Sequence, residues 1–353
     1  MKIRGESLKK SLIGITMGDP CGIGPEVILK ALSQDTLAMA EFVVIGCEKV
    51  FCDVADNLGI KEEIQLLRLD DASLNTAMES ANGINLLDLD NISIQNTSYH
   101  KPSPECGRAS VEYVLEGTKL AMEGKIDALV TAPISKEAIK IAGFEFVGHT
   151  ELLKEKTSSE NVVMLMVGND LRVSFITTHL AIKNVSRFIN QESVFSTICT
   201  TATGLRQYFN IHKPRIAVCG LNPHCGDGNR FGTEEEDIII PAIKRAQKMG
   251  IDCIGPISAD IVFNKAVNGD FDVVVVHYHD QGTIPIKLRA FDSGVNITLG
   301  IPIIRTSPTH GTAYDIAGKG TANPGSMIEA IKMAVMMAKA RKYYNEQKME
   351  TLV

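Results

Sequence analysis

Short apolar runs alternate with longer segments whose apolar positions recur every three or four residues. The runs Leu12–Thr16, Phe42–Ile45, Ile84–Leu89, Ala128–Thr131, Val162–Val167, Val173–Thr177, Ile216–Cys219, Val273–Val276 and Val295–Leu299 predict strands. Several are continuous rather than alternating, as in strands covered on both faces. Helices are predicted over Pro25–Leu32, Pro104–Glu123, Glu192–Phe209, Glu234–Met249, Asp260–Val267 and Ser326–Tyr343. Pro25 and Pro104 suit first-turn positions, and Gly124 and Gly250 suit helix ends. The alternation reads as an α/β fold on a mainly parallel sheet.

The chain has 353 residues, enough for a large core and two lobes. A formal net charge of −6 argues against nucleic-acid binding, which calls for a basic face. The eight cysteines form no CxxC pair, which predicts reduced thiols and a cytoplasmic protein. After Lys9 and Lys10 the apolar stretch is too short for a signal sequence, and no membrane span is visible.

Four clusters carry candidate chemistry. The first is Met17-Gly18-Asp19-Pro20-Cys21-Gly22-Ile23-Gly24-Pro25-Glu26, between a strand and a helix. It lacks GxGxxG spacing and reads equally as a tight turn or a ligand loop. The second is Thr131–Lys136 with Gly148-His149-Thr150-Glu151. Ser135 fits a plain N-cap and Lys136 a solvated helix residue, but the segment follows a strand, where α/β proteins place ligands. His149 and Thr150 suit either an anion or a turn leading into a helix at Glu151.

The third cluster is His179, His224 and His279, each just past a strand end. Singly, each reads best as a hydrogen-bonded structural histidine. Together they can converge on one divalent cation such as Zn²⁺, Co²⁺ or Mg²⁺, with His277 and Asp280 orienting them. His100 and His212 read as loop residues without function, and Cys225 as a bystander thiol. The fourth cluster is Lys287, Asn296, Arg305 and the glycine-punctuated loop His310–Gly318. The two cations and the amide suit a phosphate or carboxylate.

These motifs resemble the 4-hydroxythreonine-4-phosphate dehydrogenase family of vitamin B6 biosynthesis. The matching runs are MGDPCGIGPE, TAPISKE, GHTELL, TTHL, GLNPHCGDGNRFGTEE, YHDQG, GVNITLGIPIIRTS and HGTAYDIAGKG, spanning nearly the whole chain. The last run also resembles the nucleotide loop of isocitrate and isopropylmalate dehydrogenases. The resemblance implies a two-lobed α/β/α subunit of that kind, in a homodimer with a shared active site. Residues 1–135 with 305–353 would form the lobe carrying both termini and the nucleotide loop, and residues 136–304 the lobe with the metal ligands.

It further implies metal ligation by His179, His224 and His279, drawn from both subunits. Contacts to a phosphorylated small-molecule substrate would fall on His149, Thr150, Lys287, Asn296 and Arg305. NAD would be bound by His310, Gly311, Thr312, Ala313, Asp315 and Ile316; the Asp315 region has no basic pocket for the 2′-phosphate of NADP. The expected reaction oxidises the C3 hydroxyl and then loses CO₂, with Lys136 or Asp280 moving protons. The run Thr283-Ile284-Pro285 looks more like a related branch that oxidises 4-phospho-D-threonate or 4-phospho-D-erythronate. A metal-dependent hydrolase would use the same histidines but leave the His310 loop without a nucleotide. A non-catalytic phosphometabolite sensor would explain the cations alone.

Overall fold

The computed structural model describes residues 10–60, 66–69, 84–93, 100–145 and 148–351. The chain divides into two compact units, Met1–Phe146 with Gly311–Pro324, and Val147–His310 with Gly325–Val353.

The first unit contains β1 (Leu12–Thr16), α1 (Gly24–Ala31), α2 (Gln34–Leu37), β2 (Glu41–Gly46), α3 (Glu48–Leu58), β3 (Leu66–Leu69), β4 (Ile84–Asp88), α4 (Pro104–Met122), β5 (Ala128–Thr131) and α5 (Lys136–Ile141). Its strands run in the order β3-β4-β2-β1-β5, and every pairing among them is parallel. β1 and β5 are buried throughout, as their unbroken apolar runs require. Ser103 Oγ accepts from Cys106 N at the start of α4, with Pro104 following it. Gly124, at φ 70°, follows the C-terminal end of that helix.

The second unit contains α6 (His149–Lys156), β6 (Val163–Gly168), β7 (Leu171–Phe175), α7 (Ile182–Phe188), α8 (Gln191–Phe209), β8 (Ile216–Cys219), α9 (Ile240–Lys248), β9 (Cys253–Ile257), α10 (Ala259–Val267), β10 (Val273–Val276), α11 (His279–Arg289), β11 (Val295–Leu299), β12 (Arg305–Pro308) and α12 (Gly325–Thr351). Its strands run β12-β11-β6-β7-β10-β8-β9. Here the sheet is mixed: β7-β10-β8-β9 are parallel, whereas β12-β11-β6-β7 are antiparallel neighbours. The sheet is mainly parallel, as expected, and its antiparallel part includes the β6–β7 hairpin, where Asn169-Asp170 joins the strands and Asn169 takes φ 52°.

The C-terminal segment also departs from the expected lobe assignment. α12 packs on α8, β11 and β12 of the second unit. Met327, Ala330, Ile331, Ala334 and Ala338 are fully buried at helical spacing, and Thr306 Oγ1 donates to Ala330 O at 2.8 Å. Burying that face stabilises the attachment by roughly 1–3 kcal/mol for each large side chain. Three strands escaped the periodicity reading. β12 is polar and ends in proline, yet all four of its residues are buried. β9 contains Gly255 and Pro256 and is partly exposed, and β3 is the remaining one.

Candidate active site

The second unit assembles the anion cluster. β11 and β12 are antiparallel with Asn296 opposite Ser307 and Ile297 opposite Thr306. Side chains alternate along each strand, so Arg305 falls on the same face as Asn296 and Thr298. Accordingly, Arg305 Nη1 donates to Thr298 Oγ1 at 3.1 Å. Arg305 is 2% exposed, and burial pushes its pKa down to about 9. It remains cationic at neutral pH in a setting that favours an anion.

His149 and Thr150 begin α6 after the N-cap Gly148, so the helix presents its positive end beside them. Among the described residues, His149 Nε2 is enclosed without a hydrogen-bond partner, and Asn296 Oδ1 is in the same condition. Burial, and then the nearby Arg305 charge, hold the His149 pKa well below its ordinary value, so the ring is neutral. Lys287, on α11, donates to Thr309 O at 3.1 Å and to Thr309 Oγ1 at 3.0 Å. Its pKa is lowered by burial against an opposing contribution from Asp292. Thr309 is held in turn by its N–H donating to Ser326 Oγ at 3.0 Å.

Of the three candidate metal ligands, the structure brings two together. The His179 and His279 rings lie 5.8 Å apart between centroids. His279 opens α11, and its Nδ1 is 2.7 Å from Asp280 Oδ1, a contact that engages Nδ1 rather than Nε2. His224 sits at φ 52° in the turn Pro223–Gly226. The ligand atoms of the three histidines are not all within 4.8 Å of one another in one chain; among the described residues only Asp19, Cys21 and Cys106 meet that criterion. Two imidazoles this close are of the ligand type that suits a borderline divalent cation.

His277 does not orient this group. It is fully buried, its Nε2 lies 2.7 Å from Cys219 O, and burial pushes its pKa down to about 4. It ties the end of β10 to the end of β8. Its backbone N–H donates to Gln281 Oε1, and Gln281 Nε2 donates to Gly220 O, completing that brace.

In the first unit, the loop Gly311–Ile316 rests on the glycine turn after β1. Ile23 N donates to Thr312 O at 2.9 Å, and Tyr314 Oη donates to Asp19 Oδ2 at 2.6 Å. A Cβ at Gly22 would stand 2.9 Å from Thr312 O, which explains the glycine. Ala313 takes φ 41°, and Asp315 is exposed. Ser135 is an N-cap whose Oγ accepts from Ala138 N at 3.1 Å, and Lys136 is exposed at the first position of α5.

Several contributors escaped the motif reading. Glu235, buried, accepts from Leu221 N and Asn222 N at 2.9 and 2.7 Å and from Asn222 Nδ2 at 2.8 Å, shaping the turn that carries His224. His100, read as an idle loop residue, donates from Nδ1 to Tyr314 O at 3.0 Å. Glu235 carried a signal, since a carboxylate opening an apolar helix is a common capping residue; His100 carried none.

Comparison with known proteins settles the family. The profile of the pyridoxal phosphate biosynthetic protein PdxA matches residues 38–334. The chain belongs to the PdxA family. A 4-hydroxythreonine-4-phosphate dehydrogenase of Desulforapulum autotrophicum is 44% identical over 335 residues, covering 93% of this chain and 96% of the relative. A PdxA-family protein of Oceanobacillus iheyensis, named provisionally a D-threonate 4-phosphate dehydrogenase, is 43% identical over 94% of this chain and 98% of its own length. The crystal structure of 4-hydroxythreonine-4-phosphate dehydrogenase from Klebsiella pneumoniae superimposes with a TM-score of 0.85 at 37% identity, covering 95% of this chain and 99% of that one. The α/β fold is therefore that of PdxA proteins.

Proposed function

We propose that this chain is an NAD-dependent dehydrogenase that oxidises the C3 hydroxyl of 4-hydroxythreonine 4-phosphate, the product then losing CO₂. The observation that carries the substrate class is the enclosed, unpartnered His149 Nε2 beside buried Arg305, at the start of α6. A buried polar nitrogen without a partner costs about 1–3 kcal/mol, and, in the tautomer with Nε2 protonated, a phosphate oxygen would remove that cost. Similarity over nearly the full chain to relatives named as dehydrogenases supports the redox chemistry over hydrolysis or sensing.

In this reading His149, Thr150, Lys287, Asn296 and Arg305 hold the phosphate and orient the carbon chain. His179, His224 and His279 would hold a divalent cation, whose chemistry when bound would be Lewis-acid stabilisation of negative charge on the C3 oxygen. Asp280 keeps the His279 ring in the ligating tautomer, and Lys136 or Asp280 moves the proton. The loop His310, Gly311, Thr312, Ala313, Asp315 and Ile316 binds NAD; exposed Asp315 disfavours the 2′-phosphate of NADP.

A homodimer that shares its metal ligands agrees with the failure of the three histidines to close on one ion within a chain. Exposed Ile284 and Leu288 on α11, and Phe291 just after it, agree with a covered face there. No helix among the described residues is long and apolar enough to cross a membrane, and reduced cysteines suit a cytoplasmic setting.

The second reading is oxidation of 4-phospho-D-threonate or 4-phospho-D-erythronate, favoured by the relative named for D-threonate 4-phosphate and by Thr283-Ile284-Pro285. The test is NADH formation with purified protein, NAD and added divalent metal on each of the three phosphates. Turnover of the amino substrate alone supports the first reading. Turnover of a sugar-acid phosphate alone supports the second. Metal-replete protein that is silent on all three overturns both.

A further inference from the structure

Asp19, Cys21 and Cys106 form a buried cluster in the first unit that the proposed reaction does not use. Cys21 lies in the glycine turn after β1, and Cys106 in the first turn of α4, 85 positions later. Their Sγ atoms are 2.6 Å apart. Cys21 is 0% exposed and Cys106 1%.

That separation distinguishes two chemistries. Two thiolates on one tetrahedral zinc, at Zn–S near 2.3 Å, stand roughly 3.7 Å apart, so the pair would have to separate by about 1 Å. A disulfide at about 2.05 Å needs an approach of only about 0.5 Å. Asp19 is also already engaged: Oδ1 accepts from Cys21 N at 2.9 Å and Oδ2 from Tyr314 Oη at 2.6 Å. A metal would have to displace one of these bonds, whereas a disulfide leaves both in place.

We propose that Cys21 and Cys106 are a peroxide-oxidisable dithiol that closes to a disulfide within the folded first unit. One thiol attacks hydrogen peroxide, forming a sulfenic acid and releasing water. The second thiol displaces the sulfenic hydroxyl as a second water, and the S–S bond forms. The two thiols together lose two electrons and two protons, and the peroxide is reduced to two waters. The contact with Cys21, and then burial, push the Cys106 pKa up. A carboxylate stands beside the pair: Asp19 lies within 4.8 Å of both sulfurs, its own pKa raised by burial. Burial makes the reaction slow for bulky oxidants and open to one as small as peroxide. The product would fasten the glycine turn that carries Asp19, and with it the Tyr314 contact, to α4. The inference is independent of which phosphate the enzyme oxidises.

The test is on the full chain without substitution. Folded protein is treated with hydrogen peroxide, unfolded in an alkylating agent, and analysed by intact and peptide mass spectrometry. The expected result is a species lighter by about 2 Da before alkylation that escapes alkylation at Cys21 and Cys106, carries a cross-linked peptide pair joining them, and reverts with dithiothreitol. The oxidised protein should also melt several degrees higher, because the link constrains the unfolded chain. Full alkylation of both residues after peroxide treatment overturns the proposal, as does a cross-link from either to a different cysteine. One equivalent of zinc that is bound by the untreated protein, blocks oxidation and is lost in Cys21→Ala/Cys106→Ala would assign the cluster to a metal and overturn it equally.

Discussion

Asp280 Oδ1 lies 2.7 Å from Nδ1 of the adjacent His279, and the two open the same helix. The carboxylate accepts from Nδ1–H and so directs Nε2 outward as a lone-pair donor. On the proposed metal site, His279→Ala should abolish bound metal and turnover together while the fold survives, since the side chain is 44% exposed. Asp280→Asn should weaken metal affinity by about 10-fold to 100-fold. Metal content after dialysis, measured beside turnover, checks both. A metal-replete, fully active His279→Ala protein would refute the ligand assignment.

Arg305 should carry phosphate recognition. Arg305→Lys keeps the charge but loses the planar fork, and its bond to Thr298 is not reproduced. The expected loss in kcat/KM is roughly 10-fold to 100-fold, about 1.4–3 kcal/mol, chiefly through KM. Steady-state kinetics against the phosphorylated substrate decides; an unchanged KM would place the phosphate elsewhere.

The neutral state of His149 gives a signed pH dependence. Its folded pKa is depressed below the ordinary 6.5, first by burial and then by Arg305. As pH falls through about 6.5 the unfolded chain takes up this proton before the folded chain does. Stability therefore declines as the medium is acidified below that point, and the decline ends once the folded group also titrates. His149→Gln should flatten this part of the urea-denaturation profile. A bound phosphate dianion should raise the pKa, visible as a shifted imidazole titration by NMR. A His149 that titrates at its ordinary value with and without phosphate would contradict the enclosed geometry.

Tyr314→Phe removes the donor to Asp19 Oδ2. Asp19 is buried, so the loss should destabilise the first unit by about 1–2 kcal/mol. If the loop binds NAD, KM for NAD should rise several-fold while KM for the phosphorylated substrate stays constant. Denaturation midpoints and the two KM values separate the structural from the binding effect.

Gly22→Ala probes the same contact from the other side. The new methyl would stand 2.9 Å from both the Thr312 backbone oxygen and Cβ, so the loop has to shift. The expected cost is about 1–3 kcal/mol with a raised KM for NAD. Gly124→Ala serves as a contrast: nothing lies near its Cβ, and only the left-handed φ of 70° resists it.

Much of this protein was legible before its tertiary structure. β1, β5, β8 and β10 have the bounds that their apolar runs predicted, because a strand buried on both faces needs a nearly unbroken apolar run, and β11 has the bounds predicted for it although Asn296 and Thr298 interrupt its apolar residues. The start of α4 followed from Ser103-Pro104, and the family from the ordered motifs, because caps and ligand loops are written in consecutive residues. Tertiary structure decided what depends on partners distant in the chain. β12 is a strand although it reads Arg-Thr-Ser-Pro, since pairing with β11 satisfies its backbone and α12 covers it. The run after His277 is a helix with Pro285 inside it, packed so closely through Gly282 on Phe175 that no larger residue fits. Arg305 and Asn296 share a face only because of an antiparallel register that no local pattern encodes. His277 and His279, two residues apart and alike in sequence, part company through burial: one is sealed between strand ends, and the other opens a helix at the surface. Local sequence specifies periodicity, caps and ligand chemistry; burial and pairing are properties of the whole chain, and they determine which of those residues can act.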